Sequence, residues 1–153
     1  CGVSNIAAAK LHAVRSSLLI DYRATTVEEM SHRERFDIVL AMEVVEHVTD
    51  VGLFLQRCAT LMKPSGMMVV STLNRTLKTF ALAIVGAEYI LRWLPVGSHR
   101  WDKFVTPNEL EIAMEQGGLQ VTGSQGVIYN ILADRWQLSG DMDVNYMLAA
   151  EKS

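Results

Sequence analysis

The sequence predicts an α/β protein built on a doubly wound, mainly parallel sheet. Short apolar strand patterns alternate with helical patterns along the chain, which is typical of βαβ units. The segment "RFDIVLAM", Arg35–Met42, is almost continuously apolar, and such a run indicates a strand buried on both faces of a parallel sheet. Two strand patterns, "LQVTGSQGVIYN" and "VNYMLAAEKS", come in succession near the end of the chain. They predict an antiparallel pair at the edge of the sheet.

The composition is that of a globular domain with an ordinary core. Half of the 153 residues are apolar and the formal charge is −3, so a nucleic-acid partner held by charge is not expected. The two cysteines, Cys1 and Cys58, lie far apart, which favours a reducing compartment over a disulfide framework. The longest apolar run, Phe80–Ala87, is far shorter than the roughly 20 residues of a membrane-spanning helix.

The first predicted elements are a helix, a strand and a turn. The segment "NIAAAKLHAVR" has a rough apolar stripe, with Ser4 or Asn5 as the N-cap. A short strand follows at Leu18–Arg23, and "TTVEEM" predicts a turn with a short helix that Thr25 or Thr26 caps. Together they add one helix and one strand to the alternation.

Two later helices have clear start signals. Asp50 is the predicted N-cap of a helix from Val51 to about Met62, which "KPSG" ends before an apolar strand at Met67–Leu73. In "TPNELEIAMEQGGL", Thr106 is the predicted N-cap, and Glu109 completes a capping box. The residues expected to face inward from the first of these helices are Leu53, Phe54, Cys58 and Leu61.

Three chemically versatile side chains follow directly after the first buried strand. Glu43, Glu46 and His47 stand at i, i+3 and i+4 in "AMEVVEH", so one helical turn would direct all three to one side. In an open α/β sheet, ligands bind outside the carboxyl ends of the strands. Two carboxylates and an imidazole there form a partial ligand set for Mg²⁺, and they also suit proton transfer. A solvated turn with Glu46 and His47 as a surface pair is the alternative.

The segment between the second buried strand and Thr106 predicts an amphipathic insertion. Trp93 and Trp101 lie near its end, and Arg75, Lys78, Arg92 and Arg100 flank it. This mixture suits a helix lying on an anionic membrane, and a lid packed on its own domain is the alternative. Asn74, Arg75 and His99 are candidates for substrate contact. The alternative is that these side chains are simply exposed at the surface. The residues predicted to share the apolar face of this helix are Phe80, Ile84, Ala87, Leu91 and Leu94.

At these residues the chain resembles a known family. "FDIVLAMEVVEHV", "LMKPSGMMVVSTLNRTLK", "AIVGAEYILRWLPVGSH", "KFVTPNEL" and "DVNYMLAAEK" are together similar to the ubiquinone-biosynthesis O-methyltransferases. The resemblance implies a Rossmann-like class I methyltransferase fold over residues 1–153, with an insertion at about 74–103. It implies S-adenosylmethionine-dependent methylation of a polyprenylated catechol or quinone precursor.

The resemblance also assigns roles to individual residues. Glu43, Glu46 and His47 match the family's E-x-x-E-H motif, which is associated with Mg²⁺. Met42 matches a position that contacts the cofactor, and Thr26 and Val27 match the region beside the adenine. The catalytic candidates are His47 and His99.

One departure from the family pattern stands at the beginning of the chain. The family carries a glycine-rich loop and then an acidic residue for the cofactor ribose at the end of the next strand. Here "CGVSN" would be the remnant of that strand, the glycine-rich loop is absent, and no Asp or Glu stands among the first five residues. The chain is therefore expected to be a fragment that lacks the amino-terminal third of the domain.

The expected partners follow from the resemblance and from the insertion. An anionic membrane surface is expected to contact about Thr79–Leu94, within an assembly for quinone biosynthesis. The expected location is the cytoplasmic face of a bacterial inner membrane, with the mitochondrial matrix side as the alternative. A truncated, non-catalytic, membrane-associated binding module is the rival function, and a metal hydrolase is a poorer third because no further ligand set or nucleophile motif is visible.

Overall fold

The computed structural model describes residues 3–81, 101–130 and 133–152, which divide into two compact units, Cys1–Glu34 and Arg35–Ser153. In the first unit, helix α1 spans Val3–Arg15. The predicted helix is confirmed, but Ser4 and Asn5 lie inside it and do not cap it.

The predicted strand at Leu18–Arg23 is not formed. The side chain of Leu19 is fully exposed, and among the described residues the strand ladders join positions from Phe36 onward. A strand needs a neighbour to satisfy its backbone groups, and no ladder reaches this segment. The predicted turn does form, because Glu29 N–H donates to Thr26 O at 3.2 Å, but it does not continue into a helix.

The second unit contains one five-stranded sheet with the order β1-β2-β5-β3-β4. Strands β1 and β2 are parallel, and the β2–β5, β5–β3 and β3–β4 pairs are antiparallel. The two final predicted strands do pair antiparallel, but the second of them lies inside the sheet, and the edge is formed by a strand that was not predicted. The strands are β1 Phe36–Met42, β2 Met62–Leu73, β3 Leu119–Asn130, β4 Arg135–Ser139 and β5 Asn145–Lys152.

Helices α2 and α4 contact each other and cover one face of the sheet. The described helical segments of this unit are α2 Val51–Thr60, a single turn α3 Leu77–Thr79, α4 Pro107–Gln116, and 3-10 turns at Val45–His47 and Trp101–Lys103. The core residues that β2 and β5 direct to the covered face are Met68, Val70, Thr72, Tyr146, Leu148 and Ala150.

The opposite face of the sheet is more open. In register with Met67 and Val69 of β2, the β1 residues Ile38 and Leu40 are 60% and 64% exposed. The prediction that β1 is buried on both faces is therefore wrong for this face. β1 is the edge strand of the described sheet, so only its covered side, with Ala41, is buried.

Helix α2 begins as predicted but faces the core differently. Asp50 is the N-cap, and its side chain accepts from Leu53 N at 2.9 Å. Cys58 is buried as predicted, whereas Leu53 is 60% exposed. Leu61 is buried as predicted too, and the buried positions Leu55, Cys58 and Ala59 keep the i, i+3, i+4 spacing of a helix face. The predicted face is therefore correct at Cys58 and Leu61 and wrong at Leu53.

The "KPSG" segment belongs to β2 and not to the end of α2. The β1–β2 register shifts there, and Ser65 has a φ of 57°. A Cβ on Gly66 would lie 2.9 Å from Lys63 O and 3.1 Å from Asp37 O. The segment is therefore a bulge that only glycine allows to approach β1 so closely.

Helix α4 confirms the predicted start signals in full. Thr106 caps it, Pro107 opens it, and the capping box with Glu109 is present. Thr106 N–H donates to Glu109 Oε2 at 2.9 Å and holds the pKa of that carboxyl below its usual value.

We expect Thr106→Ala to lower the free energy of unfolding by about 1 kcal/mol, measured by urea denaturation. Thr106→Ser keeps the hydroxyl and should lower the free energy of unfolding by only a few tenths of a kcal/mol. An equal decrease in both variants would contradict the capping role.

Candidate functional site

The carboxyl ends of the parallel strands β1 and β2 meet at one edge of the sheet. Met42 is in register with Ser71, and Glu43 N–H donates to Ser71 O at 3.0 Å. Ligands of open α/β sheets bind at this edge, so these residues mark the candidate site.

Glu43 turns the chain away from β1 in a left-handed backbone conformation. Its φ is 51°, which for a residue with a Cβ costs of order 1 kcal/mol and is concentrated at functional sites. Its carboxylate Oε1 accepts from Ser71 Oγ at 2.7 Å and from Asn145 Nδ2 at 3.3 Å. Strands β2 and β5 therefore hold this side chain in one orientation.

Glu46 is buried just beyond, in the 3-10 turn Val45–His47. It is 6% exposed, and Thr72 Oγ1 donates to its Oε2 at 2.7 Å. His47 Nε2 lies 3.9 Å from Glu46 Oε1, but the His47 side chain is 62% exposed. The imidazole is thus at the surface, while the neighbouring carboxylate is inside.

The two carboxylates are bound to opposite faces of the sheet. Their partners Ser71 and Thr72 are consecutive residues of one strand, and consecutive side chains of a strand point to opposite faces. The predicted single helical turn is also not formed, because the 3-10 turn begins after Glu43. Within the described ranges, no group of three or more His, Cys, Asp or Glu side chains is arranged to hold a metal ion. The geometry does not support the magnesium role, which stays a prediction.

A cavity of about 220 Å³ opens at the strand ends on the less covered face. It brings together Met42, the predicted cofactor contact, and Glu43, a predicted metal ligand. Its remaining wall comes from the other four strands of the sheet, β2 to β5. The lining residues are Met42, Glu43, Ser71, Val127, Trp136, Asn145 and Met147.

The two described ends of the predicted insertion meet. The Phe80 and Trp101 rings form an edge-to-face contact with centroids 6.5 Å apart, and Trp101 Nε1 donates to Thr76 O at 3.3 Å. Thr76 and Thr79 donate to Asp143 O at 2.7 and 2.9 Å. The insertion therefore leaves and rejoins the sheet at one place, while residues 82–100, with His99, lie outside the described ranges.

The other predicted contacts occupy separate surroundings. Arg75 forms an ion pair with Glu109 and lines a second cavity of about 250 Å³ with Val45 and Phe104. Asn74 Nδ2 donates to Met142 O at 2.9 Å, which gives that side chain a structural partner.

Thr26 and Val27, the predicted adenine neighbours, belong to the first unit. Thr26 N–H donates to Glu29 Oε2 at 3.2 Å, and Val27 is half-buried. Their role beside the cofactor stays a prediction.

Sequence reasoning missed the residues that orient the carboxylates, which are Ser71, Thr72 and Asn145, and it missed Trp136 of the cavity wall. Ser71 and Thr72 were recognised only as the end of a strand, and Asn145 and Trp136 were not singled out. The chain separates Asn145 from Glu43 by 102 positions, so no local pattern could have joined them. The parallel register of β1 and β2 was the one signal available for Ser71.

Solved structures share this fold. A SAM-dependent methyltransferase from Methanosarcina mazei aligns with a TM-score of 0.66 at 14% identity, over 99% of this chain and 78% of that one. Magnesium protoporphyrin IX methyltransferase from Synechocystis PCC 6803, solved with bound SAH, gives 0.62 at 13%, over 97% and 59%. The fold is therefore that of class I SAM-dependent methyltransferases, as predicted.

Sequence comparison then places the chain. The model of the methyltransferase domain family (Methyltransf_23) matches residues 6–123, and the chain belongs to that family. It is 69% identical over 148 residues to a ubiquinone biosynthesis O-methyltransferase from Rhodopseudomonas palustris (strain BisB18), and 68% identical over 148 residues to one from Nitrobacter winogradskyi. These alignments include 97% of this chain and 58% and 57% of the two relatives, so the chain spans somewhat more than half of their length.

The described residues also bear on membrane insertion. In ranges 3–81, 101–130 and 133–152, no helix combines the length and the apolar character that crossing a bilayer would require.

Proposed function

We propose that this chain forms part of a SAM-dependent O-methyltransferase that acts on a polyprenylated catechol in ubiquinone biosynthesis. The observation that carries the proposal is the 69% identity to a protein of that name over 97% of the chain. The cavity at the strand ends supports it, because Met42 and Glu43 both line it.

S-adenosylmethionine supplies an electrophilic methyl group on a sulfonium. Met42 is 44% exposed at the cavity wall, so its side chain is accessible to such a cofactor. In this unit it is the described residue to which we assign a cofactor contact. The chain's task is to orient a hydroxyl oxygen toward the methyl carbon, since correct placement alone removes a large part of such a barrier. The hydroxyl proton then passes to a nearby carboxylate or to water.

The insertion is the proposed route for an apolar substrate. Leu77 is 82% and Phe80 42% exposed, so the described start of the insertion presents apolar surface. The neighbouring Lys78 forms ion pairs with Asp141 and Asp143. A helix continuing this pattern would lie in a membrane interface and reach a prenylated substrate dissolved there. Peripheral association with the cytoplasmic face of an inner membrane, within a quinone-synthesis assembly, belongs to this proposal.

Methyl transfer by the full-length protein that contains this chain tests the function directly. That protein is incubated with S-adenosylmethionine and a catechol carrying a short prenyl group, and the mono-O-methyl product is quantified by mass spectrometry. Product that requires the protein is the expected result. Flotation of the chain with anionic liposomes, combined with no product and no binding of S-adenosylmethionine, would instead favour the non-catalytic membrane-associated module.

Magnesium is the finer part of the proposal and has its own test. If Glu43, Glu46 and His47 bind Mg²⁺, their side chains must leave their present partners, and Glu46→Gln in the full-length enzyme should reduce methyl transfer about 10- to 100-fold and weaken its dependence on Mg²⁺. Glu111→Gln, an exposed carboxylate of α4, is the matched control and should have no effect. Activity that is indifferent to EDTA would rule out the metal role.

A further inference from the structure

The cavity at the strand ends has the volume of an aromatic-ring site. It measures about 220 Å³, and an apolar protein cavity of about 150 Å³ is large enough to bind benzene. The excess leaves room for ring substituents. A long prenyl chain would exceed it, so only the ring end of a prenylated substrate fits inside.

The walls of the cavity suit the faces and edges of an aromatic ring. Met42 and Met147 supply thioethers, which make favourable contacts with aromatic rings, and Val127 adds a branched apolar surface. Trp136 contributes an indole whose ring lies 5.3 Å from that of Tyr129 at an angle of 58°. Trp136 is 63% exposed, and the neighbouring ring packs against this part of the wall.

The polar end of the cavity is built around an acceptor. Ser71 Oγ and Asn145 Nδ2 both donate to Glu43 Oε1, at 2.7 and 3.3 Å. Both come from the sheet and not from a flexible loop, so the position of the carboxylate is set by the strand register. An ionised carboxylate offers about four acceptor sites and no donor, so a ligand that complements this end of the cavity must donate hydrogen bonds.

From this geometry we infer that the cavity binds the ring of a catechol, with its adjacent hydroxyls donating to Glu43. Ser71 and Asn145 are positioning residues for that carboxylate, and Trp136 forms the wall beside the ring. The catechol class rests on the proposed function, whereas the site and its residues rest on the cavity. A product with one hydroxyl methylated has lost one of its two donors, so it binds this site more weakly than the substrate does.

The test measures ligand binding without any cofactor. The chain is labelled with ¹³C at its methionine methyl groups and titrated with 4-methylcatechol, 4-methylphenol and 3,4-dimethoxytoluene. The Met42 and Met147 signals should shift saturably with 4-methylcatechol, while Met62 and Met68, which are fully buried in the opposite layer, should stay in place. We expect the monophenol to bind about tenfold more weakly, as the loss of one charge-assisted hydrogen bond predicts, and the diether to bind least.

Variants separate positioning from general stability. Glu43→Gln and Asn145→Ala should reduce the preference for 4-methylcatechol over 4-methylphenol, whereas a merely structural defect would weaken both ligands equally. Asn108→Ala, an exposed amide on α4, is the control and should keep the preference. Unchanged Met62 and Met68 signals verify that each variant is folded.

Three results would overturn the inference. These are a titration that leaves Met42 and Met147 unshifted, a diether that binds as tightly as the catechol, and a Glu43→Gln variant that keeps the full preference. The same experiments distinguish a wrong binding site from a wrong proposed function. Catechol binding without methyl transfer would count against the function alone, and methyl transfer without the methionine shifts would count against this site alone.

Discussion

Tyr146→Ala is expected to lower the free energy of unfolding by about 3–5 kcal/mol, the range for truncating a large buried aromatic side chain. Tyr146 is fully buried between the sheet and its covering helices. Its hydroxyl donates to Val105 O at 2.8 Å, directly before the cap of α4. The substitution therefore leaves a cavity and also releases the start of that helix.

The hydroxyl of Tyr146 stays protonated and able to donate. Burial raises its pKa well above the usual value, and the negative charges of Glu109, Glu46 and Glu43 add to the rise. Tyr146→Phe removes only the bond to Val105 O and should cost about 1 kcal/mol. Urea denaturation followed by circular dichroism measures both variants. A loss in the alanine variant no greater than in the phenylalanine variant would contradict the packing role.

Thr72→Val is expected to cost about 1–3 kcal/mol, although it changes neither the size nor the shape of the side chain appreciably. Thr72 is fully buried, and its hydroxyl donates to the carboxylate of Glu46, which is 6% exposed. A buried acceptor that loses its donor retains the cost of desolvation, and this cost is larger for charged groups than for neutral ones.

A double-mutant cycle isolates this hydrogen bond. Thr72→Val is measured in the parent chain and again in the Glu46→Gln background, where the acceptor carries no charge. The penalty should be clearly smaller in the second background. Equal penalties would show that valine disturbs the packing of β2 and that the carboxylate is not responsible.

Local signals in the sequence were sufficient for several elements. The start of α4 was predicted residue by residue, because a capping box is formed by side chains within four consecutive positions. Asp50 at the start of α2 was predicted for the same reason. The apolar runs of β1 and β2 located both strands, and their parallel pairing is confirmed.

Long-range pairing caused most of the errors. Strand β5 inserts between β2 and β3, and the edge position belongs to Arg135–Ser139, a segment whose composition resembles a turn. A strand forms only when its backbone pairs with another strand. Leu18–Arg23 has the residue types of a strand, but no neighbouring strand pairs with it. Glu43 and Glu46 lie on opposite faces of the sheet because their partners, Ser71 and Thr72, point to opposite faces. The spacing of the two glutamates along the chain does not reveal this.

The outer edge of β1 has a consequence for the behaviour of the chain in solution. In the described sheet this strand has a neighbour on one side only, and it presents Ile38 and Leu40 beside that open edge. A strand edge next to exposed apolar side chains can template pairing with another polypeptide. Asp37, held by Lys63 at 2.8 Å, places a charge pair on the same strand. In the part of the chain that the structure describes, this edge is therefore where we expect self-association, which should rise with concentration and with salt that screens the pair.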